Sequence, residues 1–491
     1  MNKLQYFLIT NIIYSLVLAT SLTYILLGKN VIFFCLSFFI GFLISSIKVL
    51  HLIGYGISFL IFFTLPSAKT SHGKILSQGI IDTIMTTNAN ESLEFFISLP
   101  SQHIFLGIIC SLVLISSLFF SRTNLSHSLK IAVGLIITVF FVLAYNKVFL
   151  PKVQPLIQAY SKLNTQNLPQ PTWKITGTKN LPFDNYVLVI GESLRSDMMS
   201  LYGCPFPTTP YLEKLPKQYI TNYVSTAINT SLSVPRILAL SNKEQVLEQE
   251  NVIQLAKQAN LDTYWISAQG YSGRFDVTTS RIAKVADNLY FQPKDDMEML
   301  PILKKIISKK HKKFIILHMH GSHEHPCNKL KKDEKIFNTG RGKFLDCYLS
   351  TVRKTDVFLK EVVSILRANN QSYTLIFQSD HAQNHIFDKN KGIAVLRDDK
   401  VKQSFLIPFF ITNSNMVKTE KIDVTRSAYH FVDYFPTWLG TQSNKTIPDY
   451  SITNLSNDRA LVMNYRNKLE PLSTKKDALT ADQILRNIDI K

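Results

Sequence analysis

Tyr186-Val-Leu-Val-Ile-Gly-Glu192-Ser193-Leu-Arg195 is a short apolar run closed by a glycine and followed at once by a carboxylate. Such a run reads as a buried strand, and the residues just past a strand's carboxyl end are where an open α/β sheet builds its sites. The pattern recurs twice. Phe314-Ile-Ile-Leu-His318-Met-His320-Gly-Ser-His323-Glu-His325 ends a strand on a histidine cluster, and Thr374-Leu-Ile-Phe-Gln-Ser-Asp380-His381-Ala-Gln-Asn-His385 ends one on an Asp-His pair. Thr263–Ile266 and Phe405–Ile411 read as further strands, with helices at Gln254–Ala259, Met299–Ser308 and Leu345–Leu366. This alternation predicts an α/β layer fold with a largely parallel sheet.

Taken singly, each strand end has a plain structural reading, a helix cap or a satisfied core histidine. Together they make a mixed oxygen/nitrogen donor set that suits zinc, with manganese as the competitor. A fourth element, Ser225-Thr226-Ala-Ile-Asn229-Thr230-Ser231-Leu-Ser233-Val-Pro235-Arg236, is crowded with hydroxyls. It reads as a loop capping a helix that starts near Val234. Beside a metal, which lowers the pKa of a bound hydroxyl, it also reads as the source of a nucleophile.

Outward from this core the composition splits. Of 491 residues, 46% are apolar, and 54 Lys+Arg against 35 Asp+Glu give a net charge of +19. Residues 1–150 hold few charges: Lys3, Lys29, Lys48, Lys69, Lys74, Arg122, Lys130 and Lys147 against Asp82, Glu91 and Glu94. Five apolar runs occupy that part, at Tyr6–Leu27, Val31–Ile47, Val49–Leu65, Ile104–Phe120 and Ile131–Asn146. Each approaches the roughly 20 residues that cross a bilayer. No small-residue cleavage site follows the first, so a signal peptide does not account for it. Buried soluble helices are disfavoured because the runs lack a charged outer face. A purely cytosolic enzyme and a disordered chain are both excluded.

The expected organisation is a transmembrane domain over 1–150 with a loop at 66–102, a Pro/Gln/Asn/Thr-rich linker over 151–180, and a soluble domain over 181–491. With the N-terminus inside, five spans put the soluble part outside, although the positive-inside bias is weak. In the 66–102 loop, Thr86-Thr87-Asn88-Ala89-Asn90-Glu91 reads as an N-cap with Glu91 as capping-box partner, or as a substrate-facing element at the membrane surface. Both roles are compatible.

Gly191-Glu192-Ser193 with Arg195, Tyr202-Gly203, Thr208-Thr209-Pro210, Thr230-x-x-Ser233-Val-Pro235, His318-x-x-Gly-Ser-His323 and Ser379-Asp380-His381 form an ordered set. The set resembles the membrane-anchored phosphoethanolamine transferases of the alkaline phosphatase/sulfatase superfamily, including their five N-terminal spans. The resemblance implies an inner-membrane protein whose α/β sulfatase-like domain lies in the periplasm. It implies zinc on Glu192, Thr230, Asp380 and His381, with Thr230 as nucleophile and Thr226, Ser231 and Ser233 as local competitors. His318 and His323 match histidines that bind the phosphoethanolamine group, His323 being the better general acid. Thr87 and Glu91 match a Thr-Asn-x-x-Glu element that approaches the lipid head group.

Departures bear on the acceptor. Ala382-Gln383 stands where many relatives have Gly-Glu, and a His-Gly of the lipid A-modifying members has no clean counterpart, leaving His385 as the candidate for that role. Cys204, Cys327 and Cys347 lie outside the apolar runs. One disulfide, with Cys327–Cys347 the expected pair because they bracket a lysine-rich loop, leaves Cys204 over; three reduced thiols is the alternative.

The implied reaction moves phosphoethanolamine from phosphatidylethanolamine through a covalent threonine ester to lipid A, lipopolysaccharide core or another envelope glycan. The expected partners are these lipids and the membrane, with no nucleic acid, and the protein is expected to be a monomer. The basic surplus suits a phosphate-studded surface, although Lys304–Lys313 and Lys329–Lys335 read equally as solvated faces. The rival readings are a phosphoglycerol transferase using phosphatidylglycerol and manganese, a phosphatase/sulfatase-type hydrolase, and a membrane-tethered binding protein with a decayed site.

Overall fold

Eight strands form the main sheet. In chain order they are β1 (Asn185–Gly191), β2 (Gln218–Val224), β3 (Asp262–Ser267), β4 (Asn288–Tyr290), β5 (Lys313–His318), β6 (Tyr373–Ser379), β7 (Leu406–Asn413) and β8 (Glu420–Ser427). Across the sheet the order is β8-β2-β7-β6-β1-β5-β3-β4. The computed structural model describes residues 168–486 apart from 178–179, 243–244, 270–277, 324, 389–391, 397, 449 and 465–467. The five expected spans and the 66–102 loop with Thr87 and Glu91 lie outside the described residues.

All pairings are parallel except those of β7, which runs antiparallel to both β6 and β2. The reason is the connection. After β6 the chain stays at one end of the sheet, makes a hairpin from Asn384–Asp388 and Gly392–Leu396, and re-enters from that same end. A strand that returns without a crossover must run the opposite way.

β1, β5 and β6 are buried along their whole length. Successive side chains of a strand point to opposite faces, so an all-apolar strand needs a cover on both. Tyr186, Leu188 and Ile190 enter one core with α1 (Thr230–Leu238), α2 (Val252–Gln258) and α5 (Phe431–Leu439). Val187 and Val189 enter the other with α3 (Met299–Ile307) and α4 (Lys343–Arg367). The result is a helix–sheet–helix sandwich, the α/β fold that the alternation predicts.

Two local features differ from expectation. α1 begins at Thr230, not near Val234, because the Asn229 side chain accepts from Leu232 N at 2.9 Å and caps the helix there. Trp173, inside the segment read as linker, is fully buried, and Ile175–Thr176 pairs with Gln442–Ser443. The Glu250 carboxylate anchors that segment by accepting from Thr172 N and Trp173 N, each at 2.9 Å.

Candidate active site

β1 lies between β6 and β5, so the residues leaving these three strands meet at one edge. Ser193 adopts a left-handed backbone (φ 56°) directly after Glu192, turning the chain sharply at the strand end. Its N–H donates to Asp380 Oδ1 at 3.0 Å, and His381 N–H donates to the same oxygen at 2.7 Å. Asp380 Oδ2 is buried without a hydrogen-bond partner among the described residues. His381 Nε2 lies 3.3 Å from Glu192 Oε1 and 3.5 Å from Asp380 Oδ2. The ring's other nitrogen, Nδ1, is 2.9 Å from the Ala382 carbonyl. A proton on Nδ1 satisfies that carbonyl and leaves the Nε2 lone pair facing the carboxylates, the orientation a metal-ligating histidine needs.

Thr230, at the first turn of α1, donates to Glu192 Oε2 at 2.9 Å, and its oxygen is 3.4 Å from His381 Nε2. The competing hydroxyls face elsewhere. Ser233 Oγ donates to the Asp380 carbonyl at 2.5 Å, Thr226 Oγ1 pairs with Ser233 Oγ at 3.0 Å, and Ser231 Oγ donates to Asn229 Oδ1 at 3.3 Å.

Ligand atoms of Glu192, Asp380 and His381 all lie within 4.8 Å of one another, and all three residues are buried. Their ionisation reflects that crowding. Burial and the neighbouring Glu192 carboxylate push Asp380 up to about 7. Burial opposes charging of His381, but Asp380 and Glu192 outweigh it and lift the imidazole to about 9. Burial also works against Glu192, yet the hydrogen bond and charge of His381 hold it well below the usual carboxylate range. Two buried carboxylates, one with an orphaned oxygen, beside a histidine whose Nδ1 is engaged by a backbone carbonyl are a donor set that fits a divalent cation such as zinc, whose charge would take the place of the Nε2 proton. This group can hold a metal ion.

The loop after β5 wraps over Glu192. Ser322 N–H donates to the Glu192 carbonyl at 3.0 Å, and Gly321 sits so close that a Cβ there would be 3.0 Å from both the Glu192 N and O. His318 is buried, with Nδ1 3.2 Å from Ser267 Oγ and Nε2 unpartnered among the described residues. Burial pushes its pKa down to about 4, so it is neutral near pH 7. His323 is partly exposed, and its charge acts on Glu192. His385 is fully buried against Tyr348 and Phe344, at ring separations of 4.6 Å and 5.6 Å, with neither ring nitrogen hydrogen-bonded among the described residues. Tyr348 in turn supports the Glu192 turn, donating to the Ser193 carbonyl at 2.8 Å and accepting from Arg195 N–H at 3.0 Å.

Two further residues reach the site without having been singled out in the sequence. Gln269, just past β3, donates from Nε2 to Glu192 Oε2 and to the Met319 carbonyl, each at 2.8 Å. Applying the strand-end rule to β3 would have found it. Asp296 clamps the histidine loop from below, accepting from His320 N–H at 2.6 Å and Gly321 N–H at 3.0 Å. Cys327 and Cys347 form a disulfide, and Cys204 is a buried free thiol.

Residues 184–442 match the sulfatase family, a stretch that takes in β1 through α5 and the whole cluster just described. The chain belongs to that family. Among curated relatives of this sulfatase-family chain, the phosphoethanolamine transferase OpgE of Escherichia coli is 30% identical over 288 residues, covering 56% of this chain and 54% of the relative. The chain thus spans about half the length of that relative. Two solved structures have a similar fold. One is the C-terminal periplasmic domain of EptC from Escherichia coli in complex with zinc, at 20% identity and a TM-score of 0.55, covering 65% of this chain and 99% of that one. The other is the integral membrane protein lipooligosaccharide phosphoethanolamine transferase A of Neisseria meningitidis, at 14% identity and a TM-score of 0.56, covering 90% and 95%.

Proposed function

We propose that this protein transfers phosphoethanolamine from phosphatidylethanolamine to an envelope glycolipid or glycan, of the lipid A or lipopolysaccharide-core class, through a covalent ester on Thr230. One observation carries the reading: of four neighbouring hydroxyls, that of Thr230 meets Glu192 and His381, at 2.9 and 3.4 Å. The 30%-identical relative, named a phosphoethanolamine transferase, supports the choice of group transferred.

Glu192, Thr230, Asp380 and His381 are the proposed metal ligands. Zinc is favoured over manganese by the zinc complex of the similarly folded EptC domain. A metal held there supplies positive charge that lowers the pKa of the hydroxyl and offsets charge on the phosphoryl oxygens. Thr230 Oγ1 releases its proton to solvent and adds to phosphorus, the P–O bond to diacylglycerol breaks, and His323 protonates the departing oxygen. An acceptor hydroxyl then gives its proton to His323 and attacks the same phosphorus, the Thr230 ester bond breaks, and the Thr230 oxygen takes a proton from solvent to restore the hydroxyl. His318 and His385 supply ring nitrogens, unpartnered among the described residues, for binding substrate. Thr87 and Glu91 approach the donor head group from the membrane part. In this reading five spans anchor a monomer in the inner membrane, with residues 181–491 in the periplasm.

The test is intact-mass and peptide analysis of the full chain incubated with phosphatidylethanolamine. Wild type carries phosphoethanolamine on Thr230, Thr230→Ala carries none, and Thr230→Ser retains part. Transfer by Thr230→Ala at the wild-type rate overturns the mechanism. Phosphoglycerol on Thr230 supports the rival transferase, and release of free phosphoethanolamine to water without an acceptor supports a hydrolase.

A further inference from the structure

Beside His381 lies a cavity of about 10 Å³, bounded by Ile228, Ala382, Gln383, Asn384, Asp398 and Ser404 as well as by His381 itself. That is the space of one water-sized group. Its lining is unusual. Gln383, Asn384 and Ser404 are 6%, 3% and 1% exposed, and Gln383 Oε1, Asn384 Oδ1 and Ser404 Oγ have no hydrogen-bond partner among the described residues. The orientation of the Gln383 amide is set by its nitrogen, which donates to the Ser322 carbonyl at 3.4 Å, so that its oxygen is the atom left over. Asp398 adds a half-buried carboxylate, one oxygen of which accepts from Lys400 N–H at 2.9 Å.

A buried polar atom left unpaired costs about 1–3 kcal/mol, and three around one cavity call for a common partner. The two amide oxygens only accept, so they ask for an occupant that donates, and the Ser404 hydroxyl can accept a third such bond. A primary ammonium fits: it has three N–H donors, no acceptor, and the bulk of a water molecule. A glycerol head group brings hydroxyl acceptors and more bulk, and a trimethylammonium brings no N–H at all. The cavity also neighbours the site, because His381, whose Nε2 lies 3.4 Å from Thr230 Oγ1, lines it, as does Ile228 two residues before Thr230.

We infer that this cavity, formed by Gln383, Asn384 and Ser404, is the subsite for the head-group ammonium of the donor and of the ester carried on Thr230. The inference rests on the transfer reaction proposed above and adds how the donor is chosen. Gln383 occupies a position where many relatives of the resembling family carry Glu. Here the ammonium is held by neutral oxygens, with Asp398 as the nearby carboxylate.

The test uses the full chain in detergent with phosphatidylethanolamine, its N-methyl and N,N-dimethyl forms, phosphatidylcholine and phosphatidylglycerol as donors. Wild type is expected to slow stepwise as each methyl replaces an N–H. Gln383→Met, Asn384→Leu and Ser404→Ala, each checked for an unchanged unfolding profile, are expected to raise KM for phosphatidylethanolamine about tenfold, as losing a hydrogen bond to a charged group does. They should also prefer it less over the dimethyl form. Free phosphoethanolamine should inhibit wild type better than glycerol phosphate, a measurement that needs no variant to fold. Phosphoethanolamine transfer with equal use of methylated donors, or variants that keep wild-type KM and preference, overturns the cavity assignment while leaving the reaction standing. Phosphoglycerol transfer overturns both.

Discussion

Gly321→Ala tests how tightly the histidine loop is seated on Glu192. Gly321 has φ +44°, and an added Cβ would lie 3.0 Å from Glu192 N, 3.0 Å from Glu192 O and 3.2 Å from Glu192 Cβ. Two penalties therefore apply. The left-handed backbone costs an L-residue about 1–2 kcal/mol. Overpacking costs about 1–3 kcal/mol more, because the atoms met are mainly backbone of a buried strand end and cannot swing aside. Gly340 separates the two. It also has a positive φ, +70°, but an added Cβ there meets nothing within 4 Å. Gly340→Ala should pay the first penalty only, and Gly321→Ala the sum, about 2–5 kcal/mol. The assay is thermal unfolding of both variants of the full chain in detergent, with turnover measured alongside. If the loop yields instead of the fold, the stability loss shrinks and turnover falls, since a displacement near 1 Å can cost about a hundredfold. A Gly321→Ala protein as stable as Gly340→Ala and as active as wild type refutes the close-packed loop.

Three other outcomes are expected. Burial pushes His318 down to about 4 and His320 to about 3, so the unfolded chain takes up these protons first and stability is lost as pH falls below 6.5. Asp296 and Asp380, pushed up by burial to about 6 and about 7, work in the opposite sense, while the buried His385, also pushed down, works with the two histidines. His318→Gln should therefore lose less unfolding temperature than wild type between about pH 6.5 and pH 4, and an identical pH profile for the two proteins would refute the buried neutral His318. Gln269→Leu removes one of two donors to Glu192 Oε2 and should lower turnover about tenfold with reduced zinc content by elemental analysis, whereas unchanged metal and rate would deny Gln269 a positioning role. Non-reducing peptide mapping should recover Cys327 linked to Cys347, with Cys204 alkylated only after unfolding, and loss of the link should cost about 3 kcal/mol.

The strands that carry Glu192, His318 and Asp380 were legible because they are covered on both faces, and continuous apolar runs have few other readings. β2 and β8 escaped notice. Gln-Tyr-Ile-Thr-Asn-Tyr-Val and Glu-Lys-Ile-Asp-Val-Thr-Arg-Ser are half exposed, β8 at the sheet's edge, and their polar residues blur the period. α5 was hidden by Pro436 in its own interior. Glu192, Asp380 and His381 were found as a set because ionisable residues at strand ends have chemistry of their own. Gln269 has none until Glu192 is beside it, and Asp296 acts on backbone N–H groups that no side-chain motif records. The start of α1 turned on Asn229, one polar residue among several able to cap.

The pairing of β1 with β6 has a consequence for how the molecule is made. Ser193 and Asp380, which share a hydrogen bond, are 187 residues apart along the chain. Closing so long a loop is slow compared with local helix formation. A chain still emerging from the ribosome, or cut short before Ser379, has Glu192 and Thr230 but nothing to set against them. The cluster comes into being only when the central strands have all been laid down, so capture of an ion there would mark the completion of folding and not guide its early steps.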